Sequence, residues 1–499
     1  MSDSQTESRL DVLIVGLGPV GAVLAGLLAQ WNVSVLAIDR ETEIYRLPRA
    51  AHFDHEIMRI FQQLGIVDEI QSDIRPLSVY EFRNAVGEIL MRFDNAGQRT
   101  VSGWPPSYMF HQPAVELALR RRLAGYSHVE VRTGTRLMDI LTNNESGICA
   151  LLEDPNGHQG RVFARFLIGA DGGASTVRRL IGVKLSDYGF EEPWLVIDAV
   201  CNDETGLPPY GLQICDPARP TTVMPMGPGR RRWEFMLLPG EEPEEMLEDE
   251  KIAALLEGQA QPGQVEVVRK AVYEFHGLVA ERWRRGSVLL AGDAAHQMPP
   301  FLGQGMCSGI RDAANLSWKL ALTIKDRIDA GLLDTYQIER EPHVRDIIER
   351  AIEMGRVICT VDPEVAKNRD AAMLRSRQSG RSDPLPRLPG IKQGFVTATP
   401  LAGELFLQPQ ARLRNGSKGR LDDLLGLEFW LISKTPVDSI SMEHMTSLHL
   451  GRDLLDDGTI ADWLEKAKAD AVLVRPDRYV FGTGKAIDLV NELRLRLGT

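Results

Sequence analysis

Cysteine is scarce in this sequence and nowhere paired. Among 499 residues there are five, Cys149, Cys201, Cys215, Cys307 and Cys359, an odd number with no C-x-x-C spacing. That excludes a disulfide framework and a thiolate zinc site, and it suits a reduced, cytoplasmic compartment. Basic charge is short as well: 57 Lys and Arg against 69 Asp and Glu leave a net charge of -12. Phosphate neutralisation needs the opposite balance, so no nucleic-acid partner is expected. The arginine runs at 120–122 and 230–232 read as solvated faces or local ion pairs, with a dinucleotide phosphate contact as the alternative. A basic secretory start is missing too, because Asp3, Glu7 and Asp11 precede the first apolar stretch. His296 has no H-x-x-H or H-x-x-E partner, so no metal is expected. Residues 12–38 lack any charged side chain, a length that would nominate a membrane helix, but GLGPVG interrupts them and no membrane span is expected.

What is present points to a large folded chain. Its length implies two or three domains. The opening reads strand (11–15), glycine turn, helix (21–30), strand (33–38), a βαβ unit. A helix is expected at 56–64 and another at 113–123, with a sheet ribbon between them at 79–93. Three further strand-like runs lead to GADGG, residues 193–275 are strand-rich, and SVLLAGDAAH returns the chain to a long helical region at about 311–357. The reading is a Rossmann-like α/β layer (1–77, 107–190 and 280–375) interrupted by a β-rich substrate domain (78–106 and 191–279). A Pro/Gly/Ser-rich linker (376–398) and an α/β C-terminal unit (399–499) follow.

Gly16-Leu17-Gly18-Pro19-Val20-Gly21 fits G-x-G-x-x-G after a strand, with Asp39 closing the next strand. Gly16 makes the turn, Gly18 admits a pyrophosphate to the backbone, Gly21 lets the helix pack closely, and Asp39 can accept from ribose hydroxyls. FAD and NAD both satisfy that pattern. A second feature separates them: Asp293 at a strand end, then Pro299 and Pro300, then Gly303-Gln304-Gly305 opening a helix whose bare amides and positive end can stabilise an anionic flavin ring.

With these residues in view, the chain resembles the class A flavoprotein aromatic hydroxylases, the para-hydroxybenzoate and phenol hydroxylase family. GLGPVG with Asp39-Arg40, GADGG (169–173) with the run 175–178, and GDAAHQMPP followed by GQG carry the resemblance. PPFLGQGMCSGIRDAANLSWKL, RRWEFMLLPGE and LVRPDRYVFGT are most similar to the 3-(3-hydroxyphenyl)propionate hydroxylase branch. The resemblance implies an FAD-dependent monooxygenase that uses NADH or NADPH and O₂, through a flavin C4a-hydroperoxide, to hydroxylate a phenolic ring. A meta-substituted phenol with a short carboxylate chain is the first substrate expected. It also implies that Arg49 touches the FAD phosphates, Gln112 the ribityl or adenosine side, Asp171 the cofactor through the DG motif, and Asp293 the ribityl hydroxyls. Pro300, Gly303, Gly305 and Met306 lie at the ring. Asp54 falls where phenol hydroxylase carries its active-site aspartate, flanked by His52 and His55. Two readings of Asp54 stand side by side, catalytic base and N-cap of the 56–64 helix. The tail resembles the thioredoxin-like domain of several family members; with no cysteine after Cys359 it is expected to pack or support a homodimer rather than exchange thiols. A flavin halogenase is disfavoured because no two tryptophans lie two apart. A flavin oxidase or reductase of the same fold, and a non-catalytic FAD-binding redox sensor, remain as rivals.

Overall fold

The structure, a computed structural model, describes residues 10–45, 49–379 and 388–498. The charge-free opening is core rather than membrane span: strand Leu10–Val15, helix Pro19–Gln30 and strand Val35–Ile38, with Gly21 to Ala29 of the helix buried throughout. Among the described residues no helix is long and apolar enough to cross a membrane. Leu10–Val15 pairs in parallel with Val35–Ile38 on one side and Gln159–Gly169 on the other. Val288–Leu290 and Val129–Arg132 extend this eight-stranded sheet. Its strands read as continuous apolar runs because helices cover it, as parallel sheets require. Helix Pro19–Gln30 is clamped against the long helix Gly305–Lys325, where a Cβ on Gly309 would meet Val20 at 2.6 Å.

A second eight-stranded sheet runs in the order His296–Gln297, Val265–Ala280, Leu185–Cys201, Arg230–Met236, Thr221–Pro225, Gly211–Ile214, Val79–Arg83, Ile89–Asp94. Its two longest strands, of 17 and 16 residues, run antiparallel between the layers: Leu185–Cys201 leaves the first layer and Val265–Ala280 returns to it. The expected boundaries at 190/191 and 279/280 therefore fall inside or at the end of continuous strands, where a bulge between Asp187 and Glu191 bends the ladder.

In the C-terminal region Met445–His449, Phe429–Ser433, Ala471–Val474 and Val480–Gly484 form a four-stranded sheet, parallel in its first pair and antiparallel in the others. Helix Ala486–Leu497 packs on it. Its core is shared: Trp318, Leu322 and Leu332 from the first layer sit in one apolar cluster with Phe395, Phe429, Leu431 and Val490. The expected linker is shorter than composition suggested. Ser376 to Gln378 close helix Pro363–Gln378, and the Ile391 and Thr397 amides donate to Gly403 and Phe481 of the tail. Residues 380–387, at its centre, lie outside the described residues.

Candidate cofactor and substrate site

The glycine turn is built as its spacing requires. Gly16 has φ +99°, and a Cβ there would lie 2.3 Å from the Ala170 carbonyl; a Cβ on Gly21 would lie 2.0 Å from the Gly16 carbonyl. Gly18 has open space where its Cβ would be. Asp39 accepts from the Leu17 and Glu41 amides, one per carboxylate oxygen, both at 2.9 Å. It thus shapes the turn and keeps lone pairs for a ribose. Arg40 is exposed beside Glu41.

Arg49 is held by its backbone and exposed at its side chain. Its amide donates to Gln112 Oε1 at 2.8 Å, its carbonyl accepts from Arg232 Nη1 at 2.9 Å, and its guanidinium stands over the Tyr45 ring. Gln112 is buried, with Oε1 also accepting from the Ala50 amide and Nε2 donating to Glu116. Its Oε1 therefore positions residues 49 and 50, while its Nε2 is turned to Glu116. Asp171 is likewise committed. Its carboxylate accepts from Ser175 Oγ at 2.6 Å and from the Thr176 and Val177 amides, capping helix Thr176–Leu180. Arg178 then ties this turn to the next motif by donating to the Gly173 and Ala294 carbonyls.

Asp293 is the contrasting acid. Its side chain is exposed and has no hydrogen-bond partner among the described residues, yet the surrounding protein raises its pKa against the pull of His296 and Arg49. Its carboxylate is thus left open to accept from hydroxyls. The loop behind it is locked by Asp312, which sequence reasoning passed over. Its buried carboxylate accepts from the Gly292 amide at 3.0 Å and Arg340 Nε at 2.9 Å, and pairs with His296 Nε2 at 2.6 Å. His296 stacks on Trp283, which gives it a loop-bonding role.

After Pro300–Leu302 the chain turns at Gly303, φ +62°, where a Cβ would lie 2.8 Å from the His52 ring. His52 Nδ1 is 3.2 Å from the Gly303 carbonyl. A carbonyl only accepts, so this contact selects the tautomer with hydrogen on Nδ1 and leaves a lone pair on Nε2. Burial lowers the His52 pKa, against the opposing pull of Asp54, and favours the neutral ring. Strand His52–Asp54 pairs with Ser107–Phe110 so that His52 sits opposite Met109, which packs with Leu77 and Met226 and with Tyr80 and Met224 of the second sheet. Gln304, Gly305 and Met306 open the long helix, whose positive end meets this loop. Phe301 reaches the same sheet, 5.8 Å from the Trp194 ring and 6.2 Å from Phe275.

Asp54 caps helix His55–Leu64: its Oδ1 accepts from the Glu56 and Ile57 amides. Its Oδ2 pairs with Arg311 Nη2 at 2.6 Å. Burial alone would raise this carboxyl, but Arg311 outweighs it and holds the group well below the usual carboxylate range. An acid so strong is a poor acceptor for a phenolic proton. The geometry realises the cap reading, with one carboxylate oxygen on the helix amides and the other on Arg311. Arg311 also binds Glu56 at 2.6 Å, and Glu56 accepts from the Tyr479 hydroxyl of the tail at 2.9 Å.

The open face at Gly18, the backbone approach that Gly16 and Gly21 permit, and the unpartnered Asp293 suit an FAD laid from the first turn to the Gly303 loop. Comparison with known proteins agrees. A family described as FAD binding domain matches residues 9–351. A probable NADH-specific resorcinol 4-hydroxylase of Rhodococcus jostii (strain RHA1) is 37% identical over 95% of this chain and 92% of its own length. A 3-(3-hydroxy-phenyl)propionate/3-hydroxycinnamic acid hydroxylase of Mycobacterium sp. (strain JLS) is 35% identical over 95% and 89%. Among solved structures, aklavinone-11 hydroxylase in a ternary complex with FAD and aklavinone is 25% identical, with a TM-score of 0.82 over 100% of both chains.

Proposed function

The chain belongs to the FAD-binding-domain family and is one of its FAD-dependent aromatic hydroxylases, and from that premise we propose how its residues divide the work. Bound FAD supplies the redox chemistry, accepting electrons from a reduced nicotinamide and activating O₂. Gly16, Gly18, Gly21, Asp39, Arg40 and Arg49 hold the adenosine diphosphate half. Asp293 takes the ribityl hydroxyls, and Pro300, Gly303, Gly305 and Met306 line the ring. Gln112 and Asp171 support these contacts through the turns that they fix. The second sheet serves as the substrate domain, and the phenolic ring lies between its face and the Gly303 loop.

His52 is the base in this reading. The observation that carries it is the hydrogen bond from its Nδ1 to Gly303, which presents the Nε2 lone pair on a neutral ring. A free phenol, with a pKa of about 10, is protonated at neutral pH, and the ring attacks an electrophilic oxygen faster as phenolate. Transfer of that proton to Nε2 during attack contributes a factor on the order of 10²–10⁴. Replacing His52 with Gln should keep FAD bound and reducible by NADH, slow hydroxylation by about 10²-fold and divert reducing equivalents to hydrogen peroxide. Hydroxylation by the variant at the parental rate and coupling would remove His52 from the role. The mass of the product, one oxygen heavier than the phenol, separates this reading from a flavin oxidase or a redox sensor.

The tail is assigned a thioredoxin-like fold, supported by its mixed four-stranded sheet and closing helix. Lacking cysteine, it has a packing role toward the first layer or a second copy.

A further inference from the structure

The face of the second sheet that meets the Phe301 loop carries two polar groups that the cofactor reading does not use. Along strand Arg230–Met236 the side chains alternate. Trp233 and Phe235 enter the apolar cluster of Leu195, Ile197 and Val223, so Arg232 and Glu234 project from the opposite face. Glu234 is registered with Val196, two residues along from Trp194, on which Phe301 packs. From the other side of the sheet Tyr80 reaches inward. It is registered with Gly211, and its ring fills the space that a side chain there would take, since a Cβ on Gly211 would lie 2.4 Å from that ring. Gly211 thus opens a path for Tyr80 over the middle of the sheet, toward Met224 and the strand of Glu234. Met224 packs with Tyr80 and Met109 beside His52.

Glu234 is largely buried, with its carboxylate 3.7 Å from Arg232, and has no hydrogen-bond partner among the described residues; the Tyr80 hydroxyl has none either. Burial raises the pKa of both, and each feels the other or a shared neighbour: Glu234 raises Tyr80, while Arg232 pulls Glu234 back. Both polar ends reach solvent-accessible space, where a ligand hydroxyl can take the place of water. The nearby arginines are already balanced. Asp198 takes Arg232 at 2.7 and 3.0 Å and Arg269 at 3.1 Å, so both guanidinium groups already engage a carboxylate. Neither arginine is held in reserve for a substrate carboxylate.

We propose that Glu234 and Tyr80 are the hydroxyl-recognition pair of the substrate pocket, and that they select a neutral ring bearing a second hydroxyl over a phenol with a carboxylate chain. Glu234 accepts a hydrogen bond from the ring hydroxyl, and the Tyr80 hydroxyl donates to the same oxygen. A substrate carboxylate in that position would face Glu234 and be repelled. The inference rests on the hydroxylase reading and deepens it, replacing the acid-chain phenol expected from the sequence with a dihydroxybenzene.

The test titrates FAD-loaded parent, Glu234→Gln and Tyr80→Phe with resorcinol and with 3-(3-hydroxyphenyl)propionate, reading Kd from the flavin difference spectrum, and KM, kcat and product mass from turnover. The parent should bind resorcinol at least about tenfold more tightly than the acid. Glu234→Gln should weaken resorcinol about 10- to 100-fold, the range for a hydrogen bond to a charged group, and tighten the acid. Tyr80→Phe should weaken resorcinol by a smaller factor. Hydroxylation with resorcinol affinity unchanged in both variants would overturn the pair and leave the hydroxylase standing. Parent preference for the acid, unaltered by Glu234→Gln, would overturn the selectivity. Variant-sensitive binding without any oxygenated product would keep the pair and remove the hydroxylase reading.

Discussion

Two buried charged regions flank the Gly303 loop, and they are finished differently. On the tail side, Asp54 meets two amides and Arg311, Glu56 meets Arg311 and the Tyr479 hydroxyl, and Arg311 also reaches Gln304. On the sheet side, Glu234 has one guanidinium at 3.7 Å, and neither it nor Tyr80 has a hydrogen-bond partner among the described residues. Burying a charge costs several kcal/mol unless every lone pair is met, so the first region is complete as it folds. The second keeps its polar ends open to solvent. The tail side is architecture, and the sheet side carries the proposed recognition pair.

The largest effect should come from breaking the complete side. Arg311→Met leaves Asp54 and Glu56 buried without their cation, and a loss of about 3–5 kcal/mol in unfolding free energy is expected, read as a fall in the urea midpoint. Glu234→Met on the other face removes a carboxylate with no hydrogen bond to lose, and should cost less than about 1 kcal/mol. Equal losses from the two would erase the distinction.

The two acids should also respond oppositely to pH. The native Asp54 carboxyl lies below its unfolded value, so its contribution is present above the unfolded pKa near 3.8 and is lost as pH falls toward the native value. Glu234 lies above its ordinary 4.5, so the native state holds its proton longer and loses relative stability as pH rises from about 4.5 through the raised value. Urea midpoints of parent and Glu234→Gln, measured from pH 4.5 to 7, should diverge as pH rises, with the variant gaining. Parallel curves would mean that water solvates Glu234 freely.

The smallest effect sharpens the boundary between tail and catalytic layer. Tyr479→Phe removes one hydrogen bond to Glu56 while Arg311 remains, so a loss of about 1 kcal/mol is expected with FAD content unchanged. A loss of cofactor instead would show that the tail sets the loop geometry and does more than brace it.

Much of the nucleotide end was legible in the sequence because its constraints are local. Gly16 and Gly303 need positive φ, Gly21 needs a missing Cβ, and the strand before each turn is an apolar run; residues within one turn decide all of these. The cap reading of Asp54 was legible for the same reason, being set by the amides two and three positions ahead. Availability was not legible. Asp171 and Asp293 both stand beside a glycine at a strand end, yet one is spent on a helix cap and the other is open, which depends on what folds against each. Arg311 reaches Asp54 across 257 positions, and Tyr479 reaches Glu56 across 423. Glu234 and Tyr80 share a face only because the strands between them lie in register and Gly211 has no side chain. Backbone conformation is decided by neighbours in the chain, whereas the state of a buried charge is decided by every group that arrives in space, and only the tertiary structure brings those groups together.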